Sequence, residues 1–339
     1  MKKIVSFILC TLIIFTGTLF LSSSVRAQTN ADIFTKLEYT VLADGTAEIT
    51  FFDSASSEYT IPEEIDGYKI TSIGEKAFEG CHSLKKLTFS NNIVEIKRKA
   101  FTNCNVLTTV VFSSSVKTIG NYAFNECVSL KEVIFVNGLD TIGSYAFKKC
   151  ERLESITIPS TVKTIKTAAF KECKALKYIN FENAEATIGD SAFVWCSGIT
   201  EVILPEKIKS IDENTFYECR NLKNITFENP DCVIFDSANV IPESAVIYGY
   251  ANSTAESYSQ KYNRTFVTLN DEHTGVKGDV TGDNDITIVD ATQIQRHIAK
   301  IITLSEEAVA LGDVTEDGNI TVTDATTIQR FVAKIIEEF

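Results

Sequence analysis

Seven cysteines recur every 23 residues, at Cys81, Cys104, Cys127, Cys150, Cys173, Cys196 and Cys219. A phenylalanine stands three residues before each one, from Phe78 to Phe216. A strict period of this length makes the middle of the chain an array of equivalent turns, each covering the apolar residues of the next. Such a stack offers long open faces and no natural cleft, so it points to binding before catalysis.

Two hydrophobic periods share each unit. Around Ala123, Phe124 and Cys127 apolar residues fall three to four apart, which predicts one short helical turn. Around Leu130, Val133 and Phe135 the alternation is two, which predicts a strand. One strand per unit, each followed by a return path, stacks into a parallel sheet with strands about 4.8 Å apart. The expected fold is therefore a solenoid of 23-residue repeats, a parallel β-sheet with short helical turns, over residues 70–230. Open ends of a stack invite aggregation and need caps. Leu37–Leu42 and Thr46–Phe52, joined by Asp44-Gly45, read as a capping hairpin within residues 28–69. After the array, within 231–270, Ser253-Thr254-Ala255-Glu256 reads as a capping box that opens a helix to about Tyr262, and Phe266–Leu269 as a last strand.

The Ala-Phe-x-x-Cys and Leu-x-x-Ile-x-Phe signature resembles bacterial leucine-rich repeats of the surface-antigen, BspA-like class, over about residues 58–250. The resemblance implies a right-handed, curved leucine-rich-repeat solenoid. The unit departs from the pattern at Thr215, where alanine is usual, and at Ile199, where leucine is usual.

An odd ladder of equivalent cysteines cannot pair completely, so these positions are expected to be buried free thiols that act as small hydrophobes. Cys232 breaks the period and has only a neighbour such as Cys219 to pair with. Two columns flank the buried strand residue and face outward. One is Thr88, Val111, Ile134, Thr157, Asn180, Ile203 and Thr226; the other is Lys86, Thr109, Glu132, Ser155, Tyr178, Glu201 and Asn224. Val111, Ile134, Tyr178 and Ile203 make a candidate ligand face, weighed evenly against the scattered aliphatics found on any sheet. The only tryptophan, Trp195, lies on the opposite side and is read as partly buried filler.

A second duplication closes the chain. Residues 279–302 recur at 313–336 with 16 of 24 positions identical. Each copy opens with an acidic loop whose oxygen-bearing residues fall at calcium-loop spacing. The first set is Asp279, Thr281, Asp283, Asp285, Thr287 and Asp290; the second is Asp313, Thr315, Asp317, Asn319, Thr321 and Asp324. A bare loop with so many carboxylates repels itself, and two copies in register point to two calcium ions. An apolar helical spacing follows each loop, through Ala291, Ile294, Ile298 and Ile301 and through Ala325, Ile328, Val332 and Ile335. No helical pattern precedes either loop closely.

Loop then helix, twice, resembles a type I dockerin, a small all-α calcium-folded module, over residues 278–339 after a short polar linker at 271–277. The resemblance implies a cohesin domain of a cellulosome scaffoldin as partner. It places the cohesin contacts at Ile288, Val289, Gln295 and Arg296 in one copy, and at Val322, Thr323, Gln329 and Arg330 in the other. It further implies binding in two orientations; the copies differ at the first pair, which argues against equal use of both.

Residues 1–27 read as a secretory signal, with Lys2 and Lys3, an apolar run from Ile4 to Leu21, and small residues before a cleavage point at Gln28. The mature chain is then expected outside the cell, held to a surface or substrate through a cellulosome, with no membrane span left. The whole-chain net charge of −13 deepens when that basic leader goes, and no basic stripe exists to meet a phosphate backbone, so nucleic acid is excluded as a partner. No catalytic constellation emerges. His82, His273 and His297 sit in unrelated settings, and no acid pair is singled out at the ~5–9 Å spacing of a glycosidase. Two functions stay open. One is a non-catalytic cellulosome component whose repeats bind a protein, a cell surface or plant polymer in support of polysaccharide breakdown. The other is a carbohydrate-active hydrolase whose active site is not recognisable in the sequence.

Overall fold

A computed structural model describes residues 22–25, 35–269, 277–282, 285–334 and 336. The expected leader, apart from Ser22–Val25, lies outside these residues, as does the linker before Lys277.

Residues 58–250 wind as a solenoid in which most strands pair in parallel with their copy 23 residues on, as in Thr118↔Thr141 and Val110↔Val133. The expectation of one strand per unit needs correction, because each unit carries two. The Leu-x-x-Val segment forms the expected strand, as at Thr109–Val111 and Glu132–Ile134. A second, two-residue strand ends on the isoleucine that opens the next turn, as at Thr118–Ile119 and Thr141–Ile142. These short strands build the longer ladder. Among the described residues they join the N-terminal hairpin in a twelve-stranded sheet running to Val233–Ile234. The ladder of expected strands is interrupted between 134 and 155 and again between 181 and 201.

The Ala-Phe-x-x-Cys segment is likewise not a helix. It is a run of tight turns closed by bonds of three-residue reach, such as Ala123 N–H to Gly120 O at 3.2 Å and Cys127 N–H to Phe124 O at 3.3 Å. Two residues per turn adopt the left-handed region, Tyr122 at φ 60° and Glu126 at φ 61° in one unit. Non-glycine residues there cost roughly 1–2 kcal/mol each. Their N–H groups instead bond forward to the next turn, Tyr122 to Ser144 O at 2.8 Å and Glu126 to Lys148 O at 2.8 Å. Hydrogen bonding between turns, absent from a helix that satisfies itself, decides the local conformation.

The core is one continuous column. Phe101, Phe124, Phe147, Phe170, Phe193 and Phe216 are fully buried and stack face to face, with centroids 4.9 Å apart at the first pair and 5.5 Å at the last. Thr215 fits the alanine slot because its hydroxyl donates to Asp212 O at 2.7 Å. Ile199 replaces leucine without exposure. Gly143 is required at its place: a Cβ there would lie 2.6 Å from the Gly120 backbone of the preceding turn.

Both ends are closed. Thr35–Val41 and Ala47–Ser54 form an antiparallel hairpin turned through Gly45 at φ +81°, and Ala47–Ile49 starts the parallel ladder. Ser22–Val25, inside the expected leader, pairs antiparallel with Leu37–Thr40, so cleavage before Gln28 would remove that strand. Helix α1 (Thr254–Lys261) covers the far end, its N-cap Ser253 accepting from Glu256 N–H. The Glu256 carboxylate accepts from Asn252 N–H at 2.6 Å, one residue earlier than a capping box would place it. Phe266–Leu269 adds the last parallel strand beside Ile247–Tyr250.

The C-terminal module holds α2 (Ile288–Ile298), α3 (Glu306–Gly312) and α4 (Val322–Val332) around a core of Val280, Ala291, Ile294, Val314, Ala325 and Ile328. α3 runs directly into the second loop, contrary to the expectation that no helix precedes either one. Its seven residues are too few for the sequence period to register. Only the first half of each expected apolar stripe is core: Ile298, Ile301 and Val332 are exposed, and α2 stops at Ile298.

Candidate calcium loops and partner-binding faces

The two loops are built alike. Thr287 caps α2, its hydroxyl accepting from Val289 N–H, while the Asp290 carboxylate accepts from Thr287 N–H at 2.8 Å. The other Asp290 oxygen reaches back to the loop start and accepts from Val280 and Thr281 N–H, both at 2.9 Å. One fully buried carboxylate thus clips the beginning of the loop to its end. In the second copy Asp324 is also fully buried and accepts from Thr315 N–H at 3.1 Å and Thr321 N–H at 2.8 Å. Burial pushes the Asp324 carboxyl up, but the donors from Thr315 and Thr321 outweigh it and hold the group below its ordinary range.

The first acid of each loop gathers the loop backbone around itself. Asp313 accepts from Asp317 N–H at 3.2 Å and Gly318 N–H at 2.8 Å, and Gly318 turns at φ +82°. Asp279, almost fully buried, accepts from Gly282 N–H at 2.6 Å. Asp285, Asp317 and Asn319 are exposed beside these acids, and Asn319 N–H donates to Asp317 at 2.9 Å. The Thr315 hydroxyl donates to Asp324 at 2.8 Å and lies 3.5 Å from Asp313, so it stands between the two ends of the donor set. Thr281 donates to Asp279 at 3.3 Å. Thr287 and Thr321 have their hydroxyls engaged in the helix caps, donating to Asp290 and Asp324 at 3.2 and 3.0 Å. Asp283 lies outside the described residues. The donors are hard oxygens, the type calcium takes and a soft metal does not, although among the described residues no three acids converge into a group that could hold an ion.

Gly312 lets α3 close against the second loop, since a Cβ there would lie 2.7 Å from Ile320. His297 works structurally. Its Nδ1 accepts from Leu304 N–H at 3.1 Å and so ties the chain after α2 back to the helix. No sequence signal distinguished that role from a solvated imidazole.

The expected cohesin contacts lie at the surface at both ends of α2 and α4. Ile288 and Val289 are 52% and 39% exposed, and Val322 is 59% exposed. Gln295, Thr323 and Arg330 are exposed, and Arg296 and Gln329 half-buried. Ile298, Ile301 and Val332, expected in the core from their helical spacing, extend this apolar surface instead.

On the solenoid the outward columns face solvent as expected. Val111 and Ile134 are register neighbours, whereas Ile203 lies beyond Thr157 and Asn180 in its column and Tyr178 stands in the other. The structure therefore joins the first two and separates the rest. Trp195 is not filler: it is 44% exposed, with the Lys171 ammonium 4.5 Å from its ring centre. Its left-handed backbone, φ 61°, turns the indole outward, a feature apolar spacing does not reveal. The eight described cysteines are free thiols, and Cys232 is fully buried and unpaired with Cys219.

Among the described residues no helix is long and apolar enough to cross a membrane. Comparison with known families matches the BspA type leucine rich repeat region at residues 47–177 and 140–238, and the dockerin type I domain at residues 277–333. No curated protein matches significantly. Similar solved structures include a leucine rich repeat protein of T. pallidum, 23% identical over 68% of this chain and 95% of that one, with a TM-score of 0.47. A leucine-rich repeat protein from Bacteroides ovatus is 22% identical over 62% of this chain and 69% of the other, TM-score 0.38. One from Bacteroides capillosus is 28% identical over 43% and 94%, TM-score 0.31. Type I dockerins bind calcium, and such a module implies cohesin-binding assembly of the cellulosome type; leucine-rich repeats imply protein interaction. The domains found are non-catalytic ones, and they suggest an extracellular or cell-surface protein. Matched over more than half its length, the chain belongs to the BspA-type leucine-rich repeat family and ends in a type I dockerin.

Proposed function

We propose that this protein is a non-catalytic, secreted component of a cellulosome, anchored by calcium-dependent binding of its dockerin to a scaffoldin cohesin. Its repeats present a binding surface to a protein partner in support of polysaccharide breakdown. The observation that carries the reading is the matched pair Asp290 and Asp324: both fully buried, both closing a loop, both capping a helix whose first turn exposes apolar residues.

Two calcium ions are assigned, one per loop. Asp279, Thr281, Asp283, Asp285, Thr287 and Asp290 supply the first, and Asp313, Thr315, Asp317, Asn319, Thr321 and Asp324 the second. Bound calcium neutralises the loop carboxylates. The chain's own part is to hold the loop curled, through Asp290 and Asp324, and to set the helix starts at a fixed angle for the partner. The cohesin contacts are Ile288, Val289, Gln295 and Arg296 in one orientation and Val322, Thr323, Gln329 and Arg330 in the other. For the repeats, the paired Val111 and Ile134 form the apolar centre of a protein-binding face.

The test is capture of the full chain by a panel of immobilised cohesins in calcium. At least one is expected to retain it, and alanine at Gln295, Arg296, Gln329 and Arg330 together is expected to abolish retention. Retention by none, or retention indifferent to all four substitutions, contradicts the reading.

A further inference from the structure

The two partner-binding faces are not independent, because they meet. The Arg296 guanidinium lies over the Tyr178 ring, 5.8 Å from its centre. The Asn180 side-chain amide donates to the Ile301 carbonyl. Arg296 also acts on Glu201: crowding by the surrounding chain raises that carboxyl above its ordinary range, although the residue is exposed by area, and the guanidinium opposes the rise. One residue of the first dockerin copy and the turn that ends its helix thus sit on three residues of the strand face.

Both sides are made for this contact. Tyr178 is the only aromatic in its outward column, and Asn180 the only amide in the other. An aromatic face with a nearby carboxylate suits a guanidinium, which stacks and carries charge at once. An amide donor suits a carbonyl past a helix end, where acceptors lack partners within the helix. The Ile301 carbonyl is held in place because Lys300 adopts the left-handed region, φ 58°, and Ile301 N–H bonds back to Arg296 O at 2.8 Å. Arg330, which matches Arg296 in the second copy, is exposed; Ile288, Val289 and Gln295 of the first copy stay exposed as well, so the contact engages Arg296 and the helix end alone.

We propose that the strand face around Tyr178, Asn180 and Glu201 is a docking surface for the chain's own dockerin, covering Arg296 and the end of α2 so that cohesin engages the second copy more readily than the first. The inference rests on the cohesin-binding reading above, but the contact itself does not. A cation–π pair and a hydrogen bond are a modest link, biasing the orientation by about fivefold to tenfold and not locking it. The duplication then works asymmetrically: one copy folds back on the solenoid while the other carries the anchor. The Val111–Ile134 end of the strand face stays clear of this contact.

The test uses the full calcium-loaded chain. Small-angle X-ray scattering is compared between the native protein and Tyr178→Ala with Asn180→Ala, both at exposed or half-exposed positions that leave the core intact. The contact predicts a larger radius of gyration for the double variant; an unchanged scattering curve overturns the proposal whether or not any cohesin binds. Cohesin titrations then separate the two readings. In a Gln329→Ala, Arg330→Ala background, which leaves only the first-copy face, adding the Tyr178 and Asn180 substitutions is expected to tighten binding about fivefold. In a Gln295→Ala, Arg296→Ala background they are expected to change nothing. Expansion with no tightening in the first background overturns the covering role. Expansion with no cohesin binding by any form supports the contact and sinks the cohesin-binding reading instead.

Discussion

The Cys127 thiol donates to the Phe101 carbonyl of the preceding turn at 3.2 Å. The same bond recurs from Cys104 to Phe78 at 3.1 Å through Cys219 to Phe193 at 3.1 Å. The Phe101 carbonyl also accepts from Cys104 N–H, and Phe101 N–H bonds forward to Ala123 O. A cysteine here is therefore more than a small hydrophobe, because its S–H reaches a buried acceptor that alanine would leave with one partner fewer. Cys127→Ala is expected to destabilise the protein by about 1–2 kcal/mol through the lost bond and the small void. A shift of the urea midpoint at constant slope measures it.

Burial sets the reactivity of the ladder. Cys150 and Cys173 are pushed up by burial, and Cys232 is pushed up to about 12. Iodoacetamide at pH 8 on the native protein is expected to spare the ladder, including the half-exposed Cys81, whose thiol donates to Phe52 O at 3.7 Å and is pushed strongly up by its contact with Cys104 and by burial. In denaturant without reductant all eight cysteines that follow residue 27 should react. Fewer would mean disulfides.

The same shifts give a pH dependence. A thiol raised in the folded state stays protonated there while the unfolded chain loses its proton, so the folded state holds more protons at alkaline pH. Its contribution is complete below the unfolded value near ~8.5 and is lost as pH rises toward the folded value. Stability should fall above pH ~8.5, by about 1.4 kcal/mol per buried thiol per pH unit, on these shifts alone. Alanine at three ladder positions should flatten the decline, and urea midpoints from pH 7 to 10 read both.

The Phe ladder and the doubled acidic loop were legible because stacking forces equivalent positions to repeat, so spacing alone locates the core and the loops. The strand ending on Ile119 was not: two residues are too short to show alternation, and only the recurring Thr-Ile before the turn hints at it. The turns passed for helix because bonds of three-residue reach give a nearly helical apolar spacing, while their left-handed residues, Tyr122 and Glu126, come from bonds to the next turn, which no local pattern records. Ile298 and Ile301 fit a helical stripe yet lie outside the core, because α2 stops before the stripe does. The contact of Arg296 with Tyr178 joins residues 118 positions apart, beyond any periodic argument.

Position along the stack should decide how a core deletion is felt. Phe147 stacks on Phe124 and Phe170 at 5.2 and 5.3 Å and is fully buried. Phe147→Ala is expected to cost about 3–5 kcal/mol. Because each turn contacts only its neighbours, it should also split one cooperative transition into two. Calorimetry checks this; a single transition of unchanged sharpness would contradict the nearest-neighbour picture.

The loops should lose metal singly. Asp313→Ala removes the acceptor that gathers Asp317 and Gly318 N–H, without touching the α4 cap. Calcium stoichiometry by titration calorimetry is expected to fall from two to one. Asp324→Ala should also weaken α4, because the capping box goes with it, and so cost more stability by about 1 kcal/mol.

The most direct test of the whole account is the affinity of the full chain for a cohesin that retains it, measured in calcium and again after chelation. The account predicts a loss of at least about a hundredfold in chelator, restored when calcium is returned. Equal affinity in both conditions would contradict it.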